Sequence, residues 1–271
     1  MSANTNQPDW AQMAQKFDLF LPAIAPVGEA LLDALDARAG DQILDVASGT
    51  GEPALTLARQ LDDRAEILGT DAAEPMVAVA NDKARQLGLQ HIHFETMAAE
   101  KLALPDNAYD RVLSRFGVML FADSQQGLNE MCRVMKPGGR VALAVWGEDM
   151  PVMRWNYEIF KDRIPEDRYP PLEKITSMGS TETLSAHMTT AGFTQIEIVV
   201  RRFNYSFPSF DAYWDAVEFS GLLQQQLDAL PADQHALLRD EARHMAVEFD
   251  QTGGFHVPHD YLLAVASKSP T

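Results

Sequence analysis

From Asp41 onward, short apolar runs alternate with longer amphipathic stretches. Runs bounded by turn residues predict strands, and apolar positions three and four residues apart predict helices. Alternation of the two indicates a doubly wound α/β fold with a mainly parallel sheet and helices on both faces. The predicted strands are 42–46, 66–71, 91–95, 109–114 and 140–146, and the predicted helices are 53–62, 74–87, 124–135 and 182–191.

The segment before this alternation, residues 1–40, predicts two helices. The first runs through Trp10 and breaks at Pro22, and the second ends at Gly40. The alternating region itself, residues 41–147, is long enough to form a ligand-binding core.

The rest of the chain departs from the simple alternation. Residues 148–180 are rich in aromatic residues and prolines, and residues 209–255 have helical periodicity, so both are predicted to form a helical cap beside the sheet. Residues 181–208 and 256–271 return to the core, with predicted strands at 195–207 and 261–267.

The loop after the first predicted strand contains Gly49 and Gly51 and leads into a helix that starts near Pro53. Two glycines allow a sharp turn and a close approach to a ligand, and a helix N-terminus offers free N–H groups. The run from Gly49 to Ala54 also matches the dinucleotide pattern G-x-G-x-x-[GA]. An NAD-dependent oxidoreductase is therefore one interpretation of this loop.

The second predicted strand ends in an acid, Asp71, about 20 residues after the glycines. At that distance an acid can bind ribose hydroxyls. An ordinary loop or helix-capping aspartate is the alternative. The glycine loop upstream favours the ribose role.

Composition narrows the class of protein. The chain has 271 residues, a net charge of −17 and one cysteine, Cys132. No basic patch suited to nucleic acid is present. We find no apolar run long enough for a membrane span, and no signal peptide at the start. A lone cysteine suits a cytoplasmic location, and Cys132 lies in an apolar helical pattern as a buried small residue.

Four motifs occur in order. They are Asp45-Val46-Ala47-Ser48-Gly49-Thr50-Gly51, then Asp71, then Ala99-Glu100-Lys101-Leu102-Ala103-Leu104-Pro105-Asp106-Asn107-Ala108-Tyr109-Asp110, then Lys136-Pro137-Gly138-Gly139. As a set they resemble class I S-adenosylmethionine-dependent methyltransferases, in the branch similar to the ubiquinone/menaquinone-biosynthesis enzymes. The resemblance covers about residues 41–147.

The resemblance implies a seven-stranded Rossmann-like sheet with an antiparallel last strand, S-adenosyl-L-methionine as cofactor, and residues 1–40 lying over the cofactor. It implies contacts to the cofactor's amino-acid part and ribose from the first loop, to the ribose from Asp71 and to the adenine from residues further on. Ala98 stands where many relatives have an aspartate for the adenine amino group, so backbone around Ala99 has to supply that contact. The implied cofactor-binding residues are Asp45, Ala47, Ser48, Gly49, Gly51, Asp71, Ala72, Met76, Ala98, Ala99, Glu100 and Ser114.

Acceptor-binding candidates follow the fourth and fifth strands and lie in the cap. Arg115 can hold an acceptor carboxylate or form an ordinary ion pair. Phe116 and Trp146 can face a sulfonium centre or simply pack, and Trp155 and Tyr213 can line the acceptor pocket from the cap.

No metal site is predicted. His91, His93 and Glu95 share one face of an edge strand, and solvent-facing polarity explains them better than metal binding. His256 and His259 have helical spacing, but Pro258 between them breaks a helix.

The sequence thus predicts methyl transfer from S-adenosylmethionine to a small organic acceptor, aromatic or lipophilic given the cap. The catalytic base, the acceptor and the oligomeric state are not identified. An NAD-dependent oxidoreductase and a non-catalytic S-adenosylmethionine-binding protein are the alternatives.

Overall fold

The protein is described here from a computed structural model, covering residues 13–14, 16–169, 172–220 and 223–270. Trp10, in the first predicted helix, lies outside these residues. The described strands are β1 (Gln42–Val46), β2 (Glu66–Asp71), β3 (Ile92–Thr96), β4 (Tyr109–Arg115), β5 (Met135–Trp146), β6 (Phe193–Phe207), β7 (Asp250–Gln251) and β8 (Gly254–Lys268).

The α-helices among the described residues surround the sheet or form the cap. They are α1 (Leu21–Leu35), α2 (Ala54–Gln60), α3 (Glu74–Gln86), α4 (Ser124–Val134), α5 (Pro151–Phe160), α6 (Leu172–Ile175), α7 (Thr181–Thr190), α8 (Phe210–Ser220), α9 (Gln224–Leu227) and α10 (Ala232–Met245). No helix in this described part of the chain has the length and apolar character needed to cross a membrane.

The sheet has the order β3-β2-β1-β4-β5-β8-β6, and the short β7 pairs with β8 off this path. Strands β1 to β5 pair in parallel, whereas β8 is antiparallel to both β5 and β6. The predicted doubly wound sheet with an antiparallel last strand is therefore confirmed.

The strand order reverses between β1 and β4. The chain moves outward from β1 through β2 to β3 and then returns to β4 on the other side of β1. Right-handed crossovers in the two directions place helices on opposite faces of the sheet. A ligand crevice is therefore expected at the carboxyl ends of β1 and β4, where the strand order reverses.

Three element bounds differ from the sequence prediction. Pro22 does not break a helix but lies in the first turn of α1, where a missing N–H removes no helical hydrogen bond. Strand β5 begins at Met135 because an irregular register opposite β4 accommodates the Lys136–Gly139 turn motif. Strand β8 begins at Gly254, inside the predicted cap segment, and continues through Pro258.

The side chains around Gly69 show how tightly β1, β2 and β3 pack under the first loop. A Cβ atom at Gly69 would overlap the ring of Phe94 and would lie 2.9 Å from Ser48 Oγ. Both neighbours are buried. The absence of a side chain at Gly69 is thus required for the Phe94 ring to lie against β2.

We predict that Gly69→Ala lowers the free energy of unfolding by about 1–3 kcal/mol, because overpacking forces the neighbours to move. Urea unfolding measures the change. Gly69→Ala combined with Phe94→Leu should lose less than the sum of the two single variants, since leucine lacks the overlapping ring. Additive losses would contradict this packing argument.

Candidate active site

The loop after β1 is held in place by backbone geometry and by its neighbours. Gly49 and Gly51 have φ angles of 53° and 103°, in the left-handed region that favours glycine. Thr50 Oγ1 donates to Asp18 Oδ1 at 2.7 Å, and Lys83 Nζ donates to the Thr50 carbonyl at 3.0 Å. The segment before α1 therefore lies directly against this loop.

Asp71 joins the loops after β1 and β2. Its Oδ2 accepts from the Gly49 N–H and its Oδ1 from the Ala73 N–H, each at 2.9 Å. Burial raises the pKa of the Asp71 carboxyl above its usual value, although these two hydrogen bonds favour the ionised form. A carboxylate has about four lone-pair sites, so hydroxyl donors can still bind it.

The N-terminus of α2 is already occupied. The Glu52 side chain accepts from the Thr56 N–H at 3.1 Å, and Pro53 has no N–H to offer. A dinucleotide diphosphate needs free N–H groups at this helix end and would be repelled by a carboxylate there. The structure thus disfavours the dinucleotide interpretation of the G-x-G-x-x-A match.

The loops after β1 and β4 meet at the point where the sheet order reverses. A Cβ atom on Gly117 would lie 2.6 Å from the Ala47 Cβ, so the two loops approach closely. Ala47 and Phe116 both have positive φ, 60° and 58°. Strained non-glycine residues of this kind concentrate at functional sites, which supports a ligand crevice here.

Asp45 and Arg115 point to the same side of the sheet, because Asp45 pairs with Leu113, two residues before Arg115. Among the described residues, neither carboxylate oxygen of Asp45 has a hydrogen-bond partner, and burial raises the pKa of Asp45 to about 8. Ser114 Oγ, also buried, likewise has no partner in the described structure. These unpaired groups are suited to a ligand that brings its own donors.

Among the described residues Arg115 does not form the ordinary ion pair that was one alternative, and its role toward an acceptor carboxylate stays a prediction. Arg115 donates to the Glu52 carbonyl at 2.9 Å and lies under Gly28 of α1. Within the described residues no carboxylate is in ion-pair distance. Arg115 lines a cavity of about 510 Å³ between α1, α2 and α3, together with Asp18, Glu29, Arg59 and Lys83.

The remaining predicted cofactor residues lie around the loops after β2 and β3. Met76 is buried against Met13 and Ala14 of the N-terminal segment. The side chain of Glu100 accepts from the Ala122 and Asp123 N–H groups, which ties this loop to the start of α4. Ala72 and Ala98 are exposed and Ala99 is buried. The role of each toward a cofactor stays a prediction.

Phe116 and Trp146, predicted separately, are brought together at the carboxyl edge of the sheet. Their rings stack with centroids 3.7 Å apart and planes 11° apart, and Phe203 of β6 lies on Trp146 at 6.0 Å. We call Phe116, Trp146, Phe203, Tyr205 and His259 the edge cluster. It adjoins the crevice, because Phe116 precedes Gly117.

His259 is the titratable member of the edge cluster and is only 2% exposed. Its ring lies 5.5 Å from Tyr205 and 6.1 Å from both Trp146 and Phe203. Nδ1 contacts the Val257 carbonyl at 3.1 Å, and since a carbonyl only accepts, Nδ1 carries the proton and Nε2 keeps its lone pair. Burial lowers the pKa of His259 to about 4, so the ring is neutral near pH 7.

Trp155 and Tyr213 form a separate contact inside the cap. The indole N–H donates to the Tyr213 hydroxyl at 3.2 Å, and both side chains are buried. Tyr213 also lies 6.5 Å from Tyr205, so this pair packs behind the edge cluster. Whether either residue touches an acceptor stays a prediction.

His259 was not predicted as a site residue, because Pro258 obscures the strand pattern around it. The alternation Phe255, Val257, His259 and Tyr261 places four buried residues on one face of β8, and this period of two was the available signal. His93 lies on edge strand β3 and His91 directly precedes it. They pair with Glu95 and Glu66 respectively, as exposed residues.

Solved structures support the fold. The YcgJ protein of Bacillus subtilis matches with a TM-score of 0.64 at 21% identity, over 90% of this chain and 99% of that one. A S-adenosylmethionine-dependent methyltransferase of Aquifex aeolicus matches with a TM-score of 0.55 at 23% identity, over 69% and 91%. The [4+2]-cyclase SpnF, at 0.58 and 19%, over 97% and 98%, has the same fold. These likenesses define a Rossmann-like methyltransferase fold.

Comparison of the sequence with known proteins indicates the family as well as the fold. The profile of the ubiE/COQ5 methyltransferase family matches residues 29–200. A demethylmenaquinone methyltransferase of Thermus thermophilus is 35% identical over 170 residues, covering 58% of this chain and 76% of that protein. A ubiquinone/menaquinone biosynthesis C-methyltransferase of Geobacter sulfurreducens is 43% identical over 105 residues, covering 38% of this chain and 41% of that protein.

A glycine loop without a diphosphate site, a half-buried acid at the end of β2 and this sheet order are the features of a class I methyltransferase. The chain belongs to the ubiE/COQ5 methyltransferase family. It is a methyltransferase with S-adenosyl-L-methionine as cofactor, and the oxidoreductase alternative is set aside.

We predict that Asp71→Ala weakens S-adenosylhomocysteine binding about 10- to 150-fold, since a hydrogen bond to a charged group contributes about 1.5–3 kcal/mol. Calorimetry on the folded variant measures the change. Asp71→Asn, which keeps one carbonyl oxygen, should lose less. Unchanged affinity in a folded Asp71→Ala variant would show that Asp71 does not hold the ribose.

Asp45 gives a pH-dependent prediction. Its pKa is about 8 when folded and near 3.8 when unfolded, so between these values the folded state binds the extra proton and stability falls as pH rises. Asp45→Asn removes this loss. Without ligand, the melting temperature of the variant should therefore rise relative to that of the wild type between pH 5 and pH 8. Parallel profiles would contradict the raised pKa.

Proposed function

We propose that this methyltransferase methylates a small aromatic molecule with a ring hydroxyl, such as a reduced quinone. The edge cluster carries the proposal, because it combines aromatic faces with one neutral histidine where β4 and β5 end. The Thermus and Geobacter relatives are named for menaquinone and ubiquinone biosynthesis, which agrees with such an acceptor.

The acceptor is not fixed by family membership alone. The family match ends at residue 200, whereas Phe203, Tyr205 and His259 lie beyond it. The acceptor class is therefore argued from the chemistry of these side chains. Stacked aromatic rings favour a planar ring, and the His259 lone pair favours a hydroxyl donor.

The cofactor side of the proposal uses the residues around the first loop. Asp71 would accept from the ribose hydroxyls, with Gly49 and Gly51 allowing close approach. The unpaired oxygens of Asp45 and the unpaired Ser114 Oγ fit the polar amino-acid end of S-adenosylmethionine, since buried polar atoms require partners. Ala72, Met76, Ala98, Ala99 and Glu100 would lie near the adenine.

The same contacts support the proposed division of the chain into segments. Residues 16–20 touch both the loop after β1 and the edge cluster, where Phe20 stacks on Tyr205 at 6.2 Å. Residues 1–40 would then cover the cofactor, and the segments 148–180 and 209–255 would support the acceptor side. A cytoplasmic location remains a prediction from composition.

The bound cofactor supplies a methyl group on a positively charged sulfur, and so needs no further activation. The protein's contribution is to align the acceptor with that methyl group and exclude water. Phe116 and Trp146 would hold the acceptor ring, and their faces also suit a nearby positive charge.

His259 would accept the proton of the acceptor hydroxyl at Nε2. When a ring carbon bonds to the methyl group, the ring becomes electron-poor and its hydroxyl becomes strongly acidic. A histidine with a pKa of about 4 is then basic enough to take that proton. Methyl transfer would leave the electron pair of the broken carbon–sulfur bond on sulfur. The ring carbon would then give up its own hydrogen as a proton to solvent, and the ring oxygen would take back the proton held by His259, so that one proton is released for each methyl group transferred.

We predict that His259→Asn lowers kcat by about 100- to 10,000-fold, the contribution typical of a positioned proton acceptor. The asparagine amide can still donate to the Val257 carbonyl, but it has no basic nitrogen that could take a proton as Nε2 of His259 does. Affinity for S-adenosylhomocysteine should change less than threefold or so. The assay follows S-adenosylhomocysteine release with a panel of reduced quinones and simple phenols.

His256→Asn is the matched control, because His256 lies on the other face of β8, is exposed and contacts Ser206 Oγ. Its kcat should equal that of the wild type. Full activity in His259→Asn would exclude the proton-accepting role. No turnover of any hydroxylated ring by the wild type would exclude the proposed acceptor class.

A further inference from the structure

Strand β6 forms one end of the sheet and spans residues Phe193–Phe207. Within the described residues it pairs with β8 alone, so its outer edge presents unpaired backbone groups. The opposite edge strand, β3, has only five residues and carries His93 and Glu95. Long unprotected edges are sites at which another strand can pair.

A register shift interrupts β6 between Thr194 and Glu197, and from Glu197 onward the strand is regular, without a bulge to protect its edge. Residues 193–207 contain no proline and no glycine. Two β-branched residues, Val199 and Val200, are 52% and 53% exposed on opposite faces of the strand. Exposed β-branched residues favour strand pairing over solvation.

Three charged side chains lie beside this apolar centre, and they differ in whether they are already paired. Arg202 binds both Asp149 and Asp260 within the chain. Arg201 bonds Tyr261 but has no carboxylate in ion-pair distance, and Glu197 has no cation in that range, among the described residues. Glu197 and Arg201 are therefore available to a partner.

The register of a symmetric pairing follows from geometry. In a continuous antiparallel sheet, two directly opposed residues point to the same face. Residues of one strand share a face only when they are an even number of positions apart. The numbers of two residues that oppose each other across a two-fold axis therefore have an even sum. Glu197 opposes Arg201 only when the axis passes at Val199. That register also places Ile198 opposite Val200, and it separates the like-charged residues Arg201 and Arg201 of the two copies.

We propose that two copies of this chain associate through antiparallel pairing of their β6 edges, with the two-fold axis at Val199 and two Glu197–Arg201 pairs across it. The association extends the sheet continuously from one protomer into the other. It uses the edge opposite β3, so the glycine loop and Asp71 stay far from the contact along the sheet. The occupant is a second copy because the two charges complement themselves.

A charge exchange tests the register. In a dimer of the Glu197→Arg variant, the substituted side chain of each copy lies opposite Arg201 of the other copy, so two positive charges oppose each other at both contacts. In a dimer of the Arg201→Glu variant, two negative charges oppose each other at both contacts. Opposed like charges destabilise a strand pair, so each single variant should raise the dimer dissociation constant about tenfold or more. Sedimentation equilibrium of the full chain measures the constant.

Two further samples keep the test decisive. An equimolar mixture of the Glu197→Arg and Arg201→Glu variants restores an opposite pair at both sites, and so does the doubly exchanged chain. Both should dimerise within about threefold of the wild type. Glu182→Arg, at an exposed position on α7, is the charge-matched control and should leave dimerisation unchanged.

Several results would overturn the proposal. A wild type that stays monomeric at 100 µM or so, well above the range of specific complexes, excludes the contact. A dimer that neither single variant weakens lies elsewhere on the surface. A mixture that fails to recover excludes this register. Circular dichroism confirms that each variant is folded before these readings are taken.

Discussion

The carboxylate of Asp71 binds two backbone N–H groups, one from the loop after β1 and one from the loop after β2. This double contact holds the glycine loop, in which Gly49 has a left-handed backbone, against the end of β2. Because both loops are tied to one acid, the cofactor side of the crevice is shaped before any ligand arrives. A binding site arranged in advance loses less entropy on binding.

The edge cluster, where we propose that the acceptor binds, depends on a different principle, the exclusion of water around a polar group. His259 lies among aromatic rings, and its Nδ1 proton is used by the Val257 carbonyl. Burial keeps the ring neutral. A neutral lone pair in an apolar wall has few competing donors, so a hydroxyl placed there would be held strongly.

The cofactor side of the crevice and the edge cluster are joined at two places, the loop after β4 and the segment before α1. Gly117 touches Ala47 and is preceded by Phe116, so the loop after β4 belongs to both the crevice and the edge cluster. The segment before α1 makes a second bridge, with Asp18 on Thr50 and Phe20 on Tyr205. A shift of either bridge would change cofactor and acceptor positions together.

The sequence by itself determined the strand–helix alternation, the glycine loop, the acid at Asp71 and the family resemblance, because each is written in residues close along the chain. Local periodicity and turn chemistry suffice for such features. It did not determine that Glu52 caps α2, that Asp45 lacks a partner, or that Phe116 stacks on Trp146. Only the tertiary structure decided these, since they depend on register between strands far apart in sequence. His259 is the clearest case: Pro258 obscured its strand locally, and its aromatic neighbours come from β5 and β6.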